Sequence, residues 1–192
     1  MFLTRPRVRF NGVYISTCNY IRPGIGQNWN SPIHMVTYYR YLRSYRDGTC
    51  INLLSTDEPN DVVPLFNKLT PGSSGYTASI TRSDGTIIFR PKKIYPGTWS
   101  FDESFGEIYD TIEKKHKKIS SKANLMIETE GSVKKYKFCM DLEMSNGSKN
   151  TKFNKLSWQR FYFQNIITLE NEDLYLKNDK PFHFSRVLSY ER

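Results

Sequence analysis

Arginine recurs among aromatic residues at alternate positions on three candidate strands. Arg40 falls in step with Val36, Tyr38 and Leu42, and Arg160 with Leu156, Trp158 and Tyr162. Arg186 keeps step with Phe182, Phe184, Leu188 and Tyr190. Residues two apart on an extended chain share a face, so each guanidinium is expected on an apolar surface. A buried guanidinium is costly unless it is paired or hydrogen-bonded. Two resolutions are open. Each arginine can stack on a Trp or Tyr and spend its donors on carbonyls or an acidic side chain, plugging a barrel end. Alternatively, an arginine in a cavity awaits a carboxylate, a phosphate or a peptide terminus, which its planar fork suits.

Tyr39, Tyr41 and Tyr45, with Arg43 between them, lie on the other face of the Arg40 strand. If Val36 to Leu42 points into a core, these point outward, where Tyr and Arg make typical binding hot spots. Cover by another strand or by the N-terminal segment is the competing reading. Trp29 stands in a polar loop spanning Gly24–Pro32, where it closes a cavity, touches a partner or tucks onto its own domain. The candidate binding residues are therefore Arg40, Arg160, Tyr38, Trp158, Tyr39, Tyr41, Arg43 and Trp29.

Catalytic patterns are missing. His34, His116 and His183 with Cys18, Cys50 and Cys139 form no CxxC or HExxH spacing. There is no GxSxG, P-loop or GxGxxG; Gly24-Ile25-Gly26 is a lone loop pair. Asp102 and Glu103 are adjacent, and side chains at adjacent positions of a strand or turn diverge. No catalytic residue, metal or cofactor is expected, and the chain reads as a binding module.

The elements that must position these residues are strands. Tyr136, Phe138, Met140, Leu142 and Met144 alternate with polar residues, and Asn146-Gly147 then signals a hairpin into Leu156–Tyr162. His34–Tyr45 turns through Asp47-Gly48 into Thr49–Leu54, a second hairpin, and Tyr76–Thr81 with Thr86–Arg90 reads as a third. Phe10–Ser16, Thr98–Phe101, Glu107–Glu113, Asn124–Thr129, Asp173–Leu176 and Phe182–Tyr190 are further strands. The best helix is a short piece over Val62–Asn67, capped by Asn60 or Asp61. Nine or ten antiparallel strands in a meander predict an all-β, lipocalin-like up-and-down barrel, with a β-sandwich as the alternative. Gly97-Thr98-Trp99 echoes the Gly-x-Trp opening of such barrels, and Trp99 with Arg186 is a candidate plug.

Composition narrows the class. The 192 residues suit one domain spanning residues 1–192, with 67–97 as a Pro-, Gly-, Ser- and Thr-rich excursion. Thirteen Tyr, twelve Phe and three Trp favour pleated, half-buried surfaces. No signal peptide or membrane-length apolar run is present, so integral membrane association is not expected. Three scattered cysteines fit unpaired thiols in a reducing compartment, giving a cytoplasmic or nuclear expectation. The formal charge of +9 concentrates at Lys114–Lys118 and Lys134–Lys137, which read as solvated hairpin ends. Only Tyr136 interleaves with these clusters, so no specific nucleic acid is expected.

Three blocks carry a family resemblance. Phe2-Leu3-Thr4-Arg5-Pro6-Arg7-Val8-Arg9-Phe10-Asn11-Gly12-Val13-Tyr14-Ile15-Ser16 leads into Tyr20-Ile21-Arg22. Tyr38-Tyr39-Arg40-Tyr41-Leu42-Arg43-Ser44-Tyr45-Arg46-Asp47-Gly48 runs on to Leu54-Ser55-Thr56-Asp57-Glu58-Pro59. Phe153-Asn154-Lys155-Leu156-Ser157-Trp158 and Pro181-Phe182-His183-Phe184-Ser185-Arg186-Val187-Leu188-Ser189-Tyr190 complete the set. Together they resemble the C-terminal domain of the F-box only protein 9 family, including fungal relatives, with residues 67–97 longer than the family pattern. The resemblance implies a substrate receptor of a Skp1–cullin–F-box ubiquitin ligase, binding target proteins for ubiquitination and proteasomal degradation. No Leu-Pro-rich F-box stretch stands before Phe2, so Skp1 and cullin are expected only through an F-box outside this sequence. A small-molecule or lipid carrier is the alternative, as is electrostatic binding to acidic lipid or nucleic acid.

Overall fold

Alternating apolar and polar residues can bury one face of a strand only if the sheet wraps around that face. The computed structural model, which describes residues 6–22, 34–67, 69, 75–76, 93–101, 123–148 and 151–191, wraps it into a barrel. The strands are β1 (Gly12–Arg22), β2 (His34–Ser44), β3 (Thr49–Ser55), β4 (Gly75–Tyr76), β5 (Lys93–Phe101), β6 (Ala123–Glu130), β7 (Tyr136–Ser145), β8 (Lys155–Asn165), β9 (Asn171–Asp173) and β10 (Phe182–Arg186). All pairings are antiparallel, in the order β10-β1-β2-β3-β5-β6-β7-β8-β9. A further β10–β8 pairing closes eight of these strands into a barrel and leaves β9 as an addition outside β8. The barrel expectation holds, and the sandwich is set aside.

Closure is incomplete along one seam. β10 reaches only Gly12–Ile15 of β1 and Lys155–Leu156 of β8. Beyond that, the second halves of β1 and β8 run without a strand pairing between them. A connection over 174–181, joining β9 to β10, fills the gap as a strap. Lys180 contributes its carbonyl, which accepts from Ser16 Oγ of β1 at 2.5 Å and from the Trp158 indole of β8 at 3.0 Å.

The barrel's inner face packs Tyr14, Leu42, Leu125, Ile127, Met140, Leu142 and Phe182, all fully buried. The end carrying the β2–β3 turn is stopped by the N-terminal segment, with Val8 buried and Phe10 against Trp99 at 5.8 Å. Phe153, from the β7–β8 connection, is also buried there although its φ is 53°, a left-handed conformation that packing must hold. The Phe153 carbonyl accepts from the Tyr14 hydroxyl at 3.2 Å.

A second apolar cluster forms outside the barrel. Val13, Tyr41, Ile51 and Leu53 project outward from β1, β2 and β3 and are covered by the helix α1 (Pro59–Phe66) through Val62, Leu65 and Phe66. The helix begins earlier than the sequence suggested: Glu58 occupies the cap without a side-chain bond, and Pro59 takes the first turn, where its missing N–H does no harm.

Other expectations shift by a few residues. β1 runs to Arg22, and β9 ends at Asp173. The Phe182–Tyr190 strand stops at Arg186, and a 3-10 turn over Leu188–Glu191 carries Tyr190 to the outer cluster. Of the expected Tyr76 hairpin, only Gly75–Tyr76 is described, and it pairs with Lys93–Ile94. Glu107–Glu113 and Lys114–Lys118 lie outside the described residues. Cys18, Cys50 and Cys139 are buried free thiols. No helix among the described residues is long and apolar enough to cross a membrane.

Candidate functional site

Among the described residues, the barrel's other end is open. Here β1 and β3 finish, β2 begins, and the strap passes. A cleft of about 600 Å³ lies between them, lined by Tyr20, Val36, Tyr38, Arg40, Leu54, Ser55, Thr56 and Asn178. Strand alternation supplies these side chains: Val36, Tyr38 and Arg40 are inward residues of β2, and Tyr20 is the last inward residue of β1.

Arg40 is the polar centre of this cleft. Its guanidinium lies 5.0 Å from the Phe161 ring and 5.6 Å from the Trp158 ring, and its Nε donates to Asp179 of the strap at 3.1 Å. The two side chains are 14% and 8% exposed, so the pair is largely withdrawn from water. Asp179 also accepts from the Cys18 thiol at 3.3 Å. Burial, then the Asp179 charge, pushes the Tyr38 hydroxyl up to about 12. An aromatic shelf continues behind Arg40, with Phe138, Phe161 and Phe163 half-buried at ring separations of 6.1 and 6.2 Å.

The rim of the open end is apolar. Ile21 and Met35 are register partners on adjacent strands, exposed at 66% and 71%, and Tyr20 and Leu54 beside the cleft are exposed at 40% and 47%. Ile166, Ile167 and Leu169 are exposed on the β8–β9 connection at the same end. Exposed apolar residues gathered in this way mark interaction surfaces more often than scattered ones.

Residues 1–127 match the family described as the F-box only protein C-terminal region. The chain belongs to that family. Its fungal relatives agree. F-box protein pof7 of Schizosaccharomyces pombe is 34% identical over 192 residues, covering 99% of this chain and 44% of its own. F-box protein HRT3 of Saccharomyces cerevisiae is 32% identical over 201 residues, covering all of this chain and 46% of its own. The chain thus spans less than half the length of these F-box relatives. No solved structure matches it.

Within this F-box only C-terminal barrel, the structure unites Arg40, Tyr38 and Trp158 and separates the other sequence candidates. Arg160 is not on the apolar face. Trp158 stands opposite Leu142 but Arg160 opposite Asp141, so β8 carries one extra residue, a bulge at Gln159. Past the bulge the alternation resets: Phe161 takes the inward place, and Arg160 turns outward to Asp173 at 2.6 Å. Of the two readings open for the Tyr39–Tyr45 face, the structure shows cover at Tyr41 and Arg43. Tyr41 is fully buried beneath α1, its hydroxyl donating to the Asp57 carbonyl at 2.7 Å. Arg43 is buried between Tyr45 and Tyr190 and donates to the Phe66 carbonyl. Tyr39 is half-buried beside Tyr41 at 5.9 Å. The cover is a helix and the C-terminal turn rather than a strand or the N-terminal segment.

Arg186 is exposed, and Trp99 donates its indole N–H to the Tyr45 carbonyl at 2.8 Å while packing on Phe10 and Phe101. Trp29 and the adjacent Asp102 and Glu103 lie outside the described residues. Sequence reasoning missed Asp179, Ser16, Phe161 and the exposed rim. The need of Arg40 for an acid was visible; which acid was not, because Asp179 sits in Asn178-Asp179-Lys180-Pro181, which has the composition of an ordinary turn.

Proposed function

We propose that this barrel is the non-catalytic, substrate-receiving part of a Skp1–cullin–F-box ubiquitin ligase. A target protein lays an extended segment across the open end while separate subunits carry out ubiquitin transfer. The observation that carries this reading is the exposed apolar rim of Tyr20, Ile21, Met35 and Leu54 around the Arg40 cleft, in a chain whose relatives are F-box proteins. Apolar rim residues supply contact area, and the Arg40–Asp179 pair, flanked by Trp158, supplies a polar anchor. Skp1 and cullin join through the F-box of the complete protein, and the ligase acts in the cytoplasm or nucleus.

The test uses the full-length F-box protein purified with Skp1, offered to proteasome-inhibited lysate. Wild type is compared with an Ile21→Ser/Met35→Ser variant whose fold is verified by circular dichroism. Ubiquitinated proteins captured by wild type and lost from the variant are expected. Identical captures by both proteins exclude the rim as the receiving surface. Capture of a small apolar ligand by the barrel, with no protein partner, favours the carrier reading.

A further inference from the structure

The closed end of the barrel holds a second, chemically different cleft. Its volume is about 940 Å³, and among the described residues its lining includes Arg7, Arg9, Arg43 and Arg46 but no Asp or Glu. The end of β2, the turn that follows it and the N-terminal segment converge to place these four. Arg7 and Arg9 lie two apart on the segment that stops the barrel, while Arg43 and Arg46 flank the start of the β2–β3 turn.

Aromatic rings hold three of the guanidiniums. Arg9 lies 5.2 Å from the Phe184 ring, Arg46 lies 5.7 Å from Phe10, and Arg43 lies 4.8 Å from Tyr45 and 3.9 Å from Tyr190. A guanidinium held by its face keeps its N–H edge for a ligand. Among the described residues few of those donors are used: Arg9 gives one bond to the Lys152 carbonyl and Arg43 one to the Phe66 carbonyl. Among the described residues, none of the four forms an ion pair with a carboxylate. Two further groups in the lining are buried without a partner, Arg43 Nε and Ser44 Oγ. Their residues are 9% and 1% exposed. Buried donors left in that condition are uncommon and call for an acceptor.

We propose that this cleft is an oxyanion site for a phosphate monoester. A phosphate carries close to two charges and three acceptor oxygens, so it can satisfy several guanidiniums at once, where a single carboxylate brings one charge and two oxygens. The site stands at the opposite end of the barrel from the Arg40 cleft and does not depend on it. Arg7 and Arg46 are the exposed members that meet the ligand, and buried Arg43 supplies charge from beneath.

The experiment is calorimetric titration of the protein at low salt with three probes: a Gly/Ala peptide bearing one phosphoserine, the same peptide unphosphorylated, and inorganic phosphate. The phosphopeptide is expected to bind and the unphosphorylated peptide not to. An Arg7→Ala/Arg46→Ala variant, folded by circular dichroism, is expected to bind about tenfold more weakly or worse. Arg160→Ala, which removes an exposed arginine on the outer face of β8, should leave binding unchanged. Inorganic phosphate binding as tightly as the phosphopeptide assigns the site to free oxyanions, and tighter peptide binding assigns it to a phosphorylated protein segment. No binding by either phosphate probe, or equal binding by the Arg7→Ala/Arg46→Ala variant, overturns the proposal.

Discussion

The two ends of the barrel solve the same problem, an arginine beside an aromatic core, in opposite ways. At the open end Arg40 meets an internal acid, Asp179, and the surrounding rim is apolar. At the closed end four arginines line one cleft with no acid among its described lining residues. A satisfied charge within an apolar rim suits a surface read by shape and contact area. An uncompensated cluster suits a ligand that brings its own negative charge. The comparison teaches that arginine count says little about where an anion binds. What decides is whether the fold has already supplied the counter-charge.

The largest expected effect comes from removing that counter-charge at the open end. Asp179→Ala leaves the Arg40 guanidinium without its acid and should cost on the order of 3–5 kcal/mol of unfolding free energy, measured by urea denaturation. It should also speed reaction of the Cys18 thiol with a disulfide reagent, because Asp179 and the strap cover it. A loss too small to measure would mean that the pair is solvated and that the two ends differ little in how their arginines are satisfied.

Packing supplies the next contrast. Leu142→Ala, at a fully buried inward position, should cost about 2–5 kcal/mol, whereas Leu54→Ala on the rim should cost well under half of that. Equal losses would show that the rim is structural rather than available to a partner.

Alkaline titration reads the interior directly. Burial pushes the Tyr14 hydroxyl up to about 12, and burial with Asp179 does the same at Tyr38, against an ordinary 10.0. The folded state therefore favours the protonated phenols. Their contribution to stability is complete below about pH 10 and is lost as pH rises towards 12. Tyrosinate absorbance should show these two among the last to ionise, coincident with unfolding. Titration of all thirteen tyrosines near pH 10 in a still-folded protein would contradict the burial.

The smallest effect belongs to the outer pair. Asp173→Ala beside Arg160 should leave the melting temperature unchanged within error, since both side chains are largely exposed and screened. A loss matching that of Asp179→Ala would erase the distinction between inward and outward arginines on which the site rests.

The sequence by itself determined most of the described strands, the β2–β3 turn with Gly48 at φ 87°, the β7–β8 pairing and the barrel class, because hydrophobic period and turn chemistry are local properties. It also placed Arg40 and Tyr38 on one inward face, since no irregularity interrupts β2 between them. It failed at Arg160 because a single extra residue in β8 inverts every later side chain, and no residue type near Gln159 announces it. Cover of the Tyr41–Arg43 face by α1 was decided by how a short helix returns onto its own sheet, a contact between segments about twenty residues apart. Pairing of Arg40 with Asp179, 139 residues later, and the gathering of four arginines at the closed end were decided only by closure of the barrel. Period and turn signals act over a few neighbours; which distant charges meet depends on the register and seam of the completed sheet.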